Sequence, residues 1–259
     1  MLVSCILLVV GMILLIKGAD LFVDGSSKVA KFFKIPSLII GLTLVSMGTS
    51  APEASVSINA AVNNLNDLSI GNVVGSNIFN TLLIMFISYI IFLIYRAKKD
   101  KIVEEVKQEK TNLFKSLIFV AVGLASIIFG GDMVVDSASK IAQKLGMSQS
   151  LVGLTIVAVG TSLPELVTSI VASIKKENDI AIGNVVGSNI FNVIFILGAS
   201  STISTLTLNN ALIFDMVVML TSGILLILFT LFNEKINKKQ GIILILLYVA
   251  YLTYIIIRN

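Results

Sequence analysis

The chain contains no histidine and only one cysteine. Without histidine it lacks the commonest transition-metal ligand, which argues against a zinc or copper site. The lone Cys5 lies in the first apolar run and excludes an intramolecular disulfide. Charge is scarce as well: Asp, Glu, Lys and Arg make up 13% of the 259 residues, against about 25% in an ordinary soluble domain. No stretch sustains the period-2 alternation of a transmembrane strand, so a β-barrel is disfavoured. No Lys or Arg precedes the opening MLVSCILLVV, so the positive region of a secretory signal peptide is missing and the segment is expected to remain as a first span. No constellation of nucleophile, base and orienting group is visible, so the sequence points away from an enzyme and calls for no cofactor.

What is present is apolar. Hydrophobic residues fill 56% of the positions, in runs long enough for helices of about 20 residues. The sequence therefore predicts an all-α polytopic membrane protein, with the lipid bilayer as its surroundings. A net charge of +4 does not imply nucleic acid in such a chain, where the placement of the charges carries the information.

The decapeptide GNVVGSNIFN occurs twice, at 71–80 and 183–192. The same offset of 112 aligns GLTLVSMGTSAPE (41–53) with GLTIVAVGTSLPE (153–165), and Asp20, Asp24 and Lys28 with Asp132, Asp136 and Lys140. No gap is needed from Gly18 to Asn80, so the chain is an internal duplication. Each copy predicts a first span (2–22 and 116–135), a second interrupted at G-T-S-x-P-E (36–62 and 149–174), and a third carrying the decapeptide (from 68 and from 180). The second copy adds two more spans, at 210–232 and 240–257. The first copy has only Leu68 to Tyr95 before charged residues begin, read as one long or tilted span. The division is 1–95 for a shortened first repeat, 96–115 for a charged linker and 116–259 for a second repeat of five spans.

Three spans and five are both odd, so the second copy enters the membrane from the opposite side and the repeat is inverted, with about eight spans in all. The basic residues agree. With the N-terminus outside a plasma membrane, the inner loops hold Lys28, Lys31 and Lys34, the run from Arg96 to Lys115, Lys175 with Lys176, and Lys235, Lys238 and Lys239. Lys140, Lys144 and Arg258 fall outside, which is the asymmetry of the positive-inside rule.

Glu53 and Glu165 stand inside otherwise apolar segments, where a carboxylate costs at least about 2.5–3.5 kcal/mol. Each follows Gly-Thr-Ser-x-Pro, and proline there breaks the helix and frees main-chain carbonyls. Irregular backbone survives at that depth only inside protein or along a wet cavity, and carbonyls beside carboxylates and hydroxyls suit a hard cation. In the decapeptide, Asn72, Ser76 and Asn80 recur at i, i+4 and i+8, as do Asn184, Ser188 and Asn192, so each set lines one helix stripe facing that cavity. Gly71 with Gly75, and Gly183 with Gly187, are small-xxx-small pairs that admit a close neighbouring helix. One such pair is ordinary helix packing. Two buried acids in symmetric positions, each behind a helix break, point to a site.

On these motifs, G-x-x-x-x-x-x-G-T-S-x-P-E followed by G-N-x-x-G-S-N-x-x-N in both copies, the chain resembles the cation/calcium exchanger superfamily, in particular its prokaryotic sodium/calcium exchanger-like members. The resemblance implies that Glu53 and Glu165 bind calcium together with the carbonyls of Thr49 and Thr161. It implies sodium sites at Ser50, Ser162, Ser76 and Ser188 and the carbonyls of Ser46 and Ala158, and alternating access by sliding of the first span of each copy over the interrupted helices. Two features depart from the family pattern. Asn192 stands where exchangers commonly have an aspartate, leaving two carboxylates and an open ion count. The first half also lacks two spans after Asn80, so the third helix is expected to be exposed on one flank, where a second copy of the chain could cover it.

The reading is a secondary antiporter exchanging Ca²⁺ for Na⁺ at carboxylates both ions share. A Ca²⁺ or other cation/H⁺ antiporter is the nearest alternative, with a proton on glutamate in place of sodium. A cation channel or a non-transporting membrane protein is the alternative of another class.

Overall fold

The computed structural model describes residues 1–85, 87, 112–147, 156, 158–232 and 238–258. The regular elements among them are helices: α1 (Leu2–Phe33), α2 (Ser37–Thr49), α3 (Ala51–Val62), α4 (Asn66–Phe79), α5 (Leu113–Lys144), a turn at Ala158–Gly160, α6 (Leu163–Ile174), α7 (Asn178–Ile203), α8 (Asn210–Phe232) and α9 (Lys238–Arg258). Of these, α1, α5, α7, α8 and α9 are long and apolar enough to cross a bilayer. With α2–α3 and the turn before α6 as the interrupted spans, and α4 as the third, the chain has the three-plus-five arrangement. The end of the third span (86 and 88–95), the linker from 96 to 111 and most of the approach to the second break (148–155 and 157) lie outside the described residues.

The inversion is visible in how α1 meets α5. A Cβ on Gly11 would lie 3.0 Å from the Gly130 carbonyl oxygen, on Gly18 2.9 Å from that of Gly123, and on Gly25 2.7 Å from that of Ser116. Numbers rise along one helix as they fall along the other, so the first spans of the two copies run antiparallel. The glycines recur every seven residues, the repeat that keeps one seam facing a partner at a shallow crossing angle. In lipid, where apolar burial gives little drive to helix association, backbone contact of this kind holds two helices together.

Both helices are longer than the spans 2–22 and 116–135 read from hydropathy, at 32 residues each. Hydropathy falls at Asp20 and Asp132, but main-chain helical bonding is indifferent to the polarity of outward side chains. No proline interrupts the pattern before Lys34, whose left-handed φ of 56° closes α1 one residue after Phe33.

The ends of the helices sort into two faces. Lys31 approaches Glu177 at 3.7 Å, so the turns after α1 and α6 share one face. On the other, Ser204 Oγ donates to Asn64 Oδ1 at 3.2 Å and Asn66 Nδ2 to the Thr205 carbonyl at 3.0 Å, joining the turns after α3 and α7. Arg258 closes α9 on that second face by a bidentate pair with Asp215 of α8, at 2.9 and 3.0 Å.

The expectation that the first copy's third helix lies bare needs correction. Ile70, Val74, Ile78, Phe79 and Leu82 are buried, packed with Leu212 of α8 and Leu244, Tyr248 and Tyr251 of α9. The last two helices thus cover the third helix of the opposite copy, a swap that hydropathy along the chain does not carry. The bare flank belongs to the second copy: Ile190, the counterpart of the fully buried Ile78, is 50% exposed, and Ile194 is 72% exposed. The reason given for a second chain over the first repeat therefore lapses.

Candidate ion-binding site

Each G-T-S-x-P-E segment breaks its helix at the serine. Ser50 has φ −82° and ψ 10°, Ser162 has φ −89° and ψ 6°, and a new helix starts at the next residue. Pro52 and Pro164 then fall in the first turn of α3 and α6, where a missing N–H removes no helical bond. The same turn carries Glu53 and Glu165, both without exposed surface.

The two breaks interlock. Ser50 Oγ donates to Glu165 Oε1 at 2.8 Å, and Ser162 Oγ donates to Glu53 Oε1 at 3.0 Å. Each serine therefore serves the carboxylate of the other copy. Ser76 of α4 joins Glu53 Oε1 at 3.1 Å and lies 2.7 Å from Ser162 Oγ; Ser188 of α7 reaches Glu165 Oε1 at 3.5 Å. One oxygen of each carboxylate is held in this way, while Glu53 Oε2 and Glu165 Oε2 are buried without a hydrogen-bond partner among the described residues.

A second reciprocal pair lies beside the first. Asn80 Nδ2 donates to Asn189 Oδ1 at 3.2 Å and Asn192 Nδ2 to Asn77 Oδ1 at 3.0 Å, again across the copies. With its NH₂ committed, each end-of-motif asparagine leaves Oδ1 buried and without a partner among the described residues. At the same asparagines the helix widens into a π turn, over Asn80–Ile84 and Asn192–Ile196. Such turns occur often at functional sites, because they re-aim side chains without ending the helix. Two carboxylate and two amide oxygens are thus buried and unused. An unsatisfied buried acceptor costs about 1–3 kcal/mol, more if charged, and oxygens of these two kinds are the ligands that hard cations take.

Of the residues singled out in the sequence, Glu53, Glu165, Ser50, Ser162, Ser76 and Ser188 are joined by hydrogen bonds, while Asn80 and Asn192 pair with Asn189 and Asn77. Thr49 Oγ1 donates to Asn184 Oδ1 at 2.9 Å, and Thr161 Oγ1 to Asn72 Oδ1 at 3.5 Å. The threonine side chains thereby pin the break to the opposite decapeptide helix. The Ser46 carbonyl accepts from the Ser50 N–H at 3.0 Å and from Ser188 Oγ at 3.5 Å. In the second copy the Ser162 N–H donates to the Val159 carbonyl at 3.2 Å.

Sequence reasoning passed over Ser57 and Ser169, which accept from Asn72 Nδ2 at 2.9 Å and Asn184 Nδ2 at 3.0 Å. Both lie one helical turn after the glutamates and share the offset of 112, a signal that was available. Asn77 and Asn189 were also overlooked, although the decapeptide repeats them identically. The small-xxx-small reading holds for the second copy: a Cβ on Gly183 would lie 2.6 Å from the Leu38 carbonyl oxygen, and on Gly187 2.6 Å from that of Leu42.

The sodium/calcium exchanger protein family model matches residues 3–108 and 115–257. CaxA of Alkalimonas amylolytica is 33% identical over 97% of this chain and 98% of its own, in an alignment of 312 positions. That alignment exceeds the 259 residues here, so the relative carries chain that this one lacks. The sodium/calcium exchanger MaX1 of Methanosarcina acetivorans is 28% identical over 96% of this chain and 97% of its own. Among solved structures, the sodium-calcium exchanger NCX_Mj soaked with 2.5 mM Na⁺ and 0.1 mM Ca²⁺ matches with a TM-score of 0.80 at 30% identity, over 97% of this chain and 98% of that one. With both copies inside the family match and the fold matched along nearly its whole length, the chain belongs to the sodium/calcium exchanger protein family, whose members are membrane ion exchangers and not enzymes.

Proposed function

We propose that the protein is a secondary antiporter that exchanges Ca²⁺ for Na⁺ at one central site shared by the two copies. The observation that carries the reading is the crossed pair of serine–carboxylate bonds, which leaves Glu53 Oε2 and Glu165 Oε2 buried and available, with the crossed asparagine bonds leaving Asn80 Oδ1 and Asn192 Oδ1 likewise. The glutamates take Ca²⁺ with the two amide oxygens and the Thr49 and Thr161 carbonyls. Sodium uses the same carboxylates with the hydroxyls of Ser50, Ser162, Ser76 and Ser188 and the carbonyls of Ser46 and Ala158.

Two carboxylates and neutral Asn192 carry a charge that one Ca²⁺ or two monovalent ions neutralise. Moving bare carboxylates through an apolar bundle is costly, so the empty carrier is held back while either loaded form crosses. Sharing one site then couples the two fluxes. The basic residues support an orientation with the Lys31 and Glu177 face toward the cytoplasm of a cell membrane. The duplication at an offset of 112 supports a first repeat of three spans, 1–95, joined by the linker 96–115 to a second of five, 116–259.

The test is radiolabelled calcium uptake into proteoliposomes with a sodium gradient and a pH gradient imposed separately. Uptake driven by sodium alone is expected. Uptake driven only by the pH gradient makes the coupling ion a proton. Flux that persists with neither gradient makes the protein a channel.

A further inference from the structure

The internal two-fold relates nearly every contact of the ion site, but it fails at one end of α1. Lys175, at the close of α6, lies 2.8 Å from Asp20 Oδ1 and 2.5 Å from Asp24 Oδ1, and its Nζ also donates to the Asp20 carbonyl at 3.0 Å. Two residues on, Glu177 accepts from Ser27 Oγ at 2.5 Å and faces Lys31 at 3.7 Å. One turn of the second copy thus grips a row of α1 from Asp20 to Lys31.

The duplication supplies its own control. At the offset of 112, Asp20, Asp24 and Ser27 recur as Asp132, Asp136 and Ser139 on α5, but Lys175 and Glu177 correspond to Asn63 and Leu65. The backbone of the two turns is the same, with Asn64 and Lys176 both left-handed at φ 58° and 67°. Only the charges differ. Asp136 pairs instead with Lys140 on its own helix at 2.6 Å, and Ser139 Oγ is buried without a hydrogen-bond partner among the described residues. Half of a latch is present on α5, and the half that would meet it is absent from the turn after α3.

In an inverted-repeat carrier the two access states follow from exchanging the roles of the copies. The glycine seam makes α1 and α5 one body, so a shift of that body over the interrupted helices loosens the grip on α1 and brings α5 toward the turn after α3. We infer that Lys175 and Glu177 are positioning residues that hold the α1–α5 pair in the conformation described here in preference to its mirror, giving the exchanger unequal apparent ion affinity on its two faces. This inference rests on the antiporter reading for its functional consequence, though not for the latch itself. A conformational bias lowers apparent affinity on the face it closes and raises it on the face it opens, with no change at the ion ligands.

The test uses the residues that the chain itself carries at the mirror position. Lys175→Asn with Glu177→Leu removes the latch, and Asn63→Lys with Leu65→Glu installs one opposite Asp132, Asp136 and Ser139. In proteoliposomes of defined orientation, the ratio of half-saturating calcium on the two faces is expected to change about fivefold with the first pair, and in the opposite sense with the second. A ratio that stays constant, or faces that weaken together, overturns the inference. In detergent without sodium or calcium, amide hydrogen exchange over residues 20–31 is expected to quicken in the first variant, and over 132–143 to slow in the second. Unchanged exchange in both segments also overturns it. Altered amide exchange in a protein that shows no sodium-driven uptake sustains the latch and rejects only the antiporter reading.

Discussion

Ser162 Oγ donates to Glu53 Oε1 at 3.0 Å across a separation of 109 residues, and the carboxylate is fully buried. The donor belongs to the opposite repeat, so neither half of the chain builds its acidic centre alone. A buried hydrogen bond to a charged group is worth about 1.5–3 kcal/mol. Ser162→Ala is therefore expected to weaken calcium binding about tenfold or more, with Ser50→Ala doing the same through Glu165. A double-mutant cycle locates the effect: Ser162→Ala and Glu53→Gln should couple strongly, at about 0.5–3 kcal/mol, while Ser162→Ala and Glu165→Gln couple less. Calcium titrations of the four proteins in each cycle decide it, and stronger coupling within a repeat than between repeats contradicts the crossing.

Removing one charge from the centre is a larger change. Glu53→Gln keeps an acceptor for Ser162 and Ser76 but halves the formal charge offered to a divalent ion, and affinity in oxygen sites follows ligand charge. Sodium-driven calcium uptake is expected to fall about 100-fold or more in either Glu53→Gln or Glu165→Gln, each 100-fold being about 2.7 kcal/mol. The two variants should match closely, as the symmetry of their surroundings requires. One variant retaining near-normal exchange makes the other acid the sole carrier of the site.

Much of this was open to sequence reading, for a physical reason. The offset of 112 fixes which residues occupy equivalent places, and a proline behind Gly-Thr-Ser in an apolar run leaves the backbone little choice but to break. Glu53, Glu165 and the serines around them were therefore legible. What hydropathy does not encode is which copy touches which. That Ser50 serves Glu165, or that α8 and α9 cover Ile78 and leave Ile190 bare, depends on the three-dimensional swap of the repeats. The length of α1 was hidden for another reason: its polar half answers to Lys175 and Glu177, which lie some 150 positions away at |i−j| of 151 and 150.

The glycine seam gives a prediction about stability. A Cβ on Gly123 would lie 2.6 Å from the Phe22 backbone nitrogen and 2.8 Å from the Gly18 carbonyl oxygen, so neither helix yields without separating. Gly123→Ala is expected to destabilise the fold by about 1–3 kcal/mol, as overpacking does elsewhere. Gly223→Ala on α8, where an added Cβ meets no described atom within 4 Å, is expected to be near neutral. Thermal unfolding of the purified proteins in one detergent compares the two; equal melting temperatures would remove the seam as the element that binds α1 to α5.

Asn192 allows the amide half of the site to be tested apart from the acids. Its Nδ2 donates to Asn77 Oδ1 at 3.0 Å while its Oδ1 is buried without a partner among the described residues, so the side chain has one structural end and one end free for an ion. Asn192→Asp keeps the shape, deprives Asn77 Oδ1 of its donor and adds a third buried acid to a bundle that already holds Glu53 and Glu165. Without ions, the variant is expected to unfold more easily than the parent by about 1–3 kcal/mol, since a buried acceptor is stranded and like charges are crowded. Calcium should reverse the order of the effect: three carboxylates facing one divalent ion give a larger calcium-induced rise in melting temperature than two, because ligand charge sets affinity in such sites. Thermal unfolding with and without calcium measures both terms on the same sample. A calcium shift smaller than that of the parent would mean that the Asn192 oxygen faces away from the cargo, and the site would then rest on Glu53, Glu165 and Asn80.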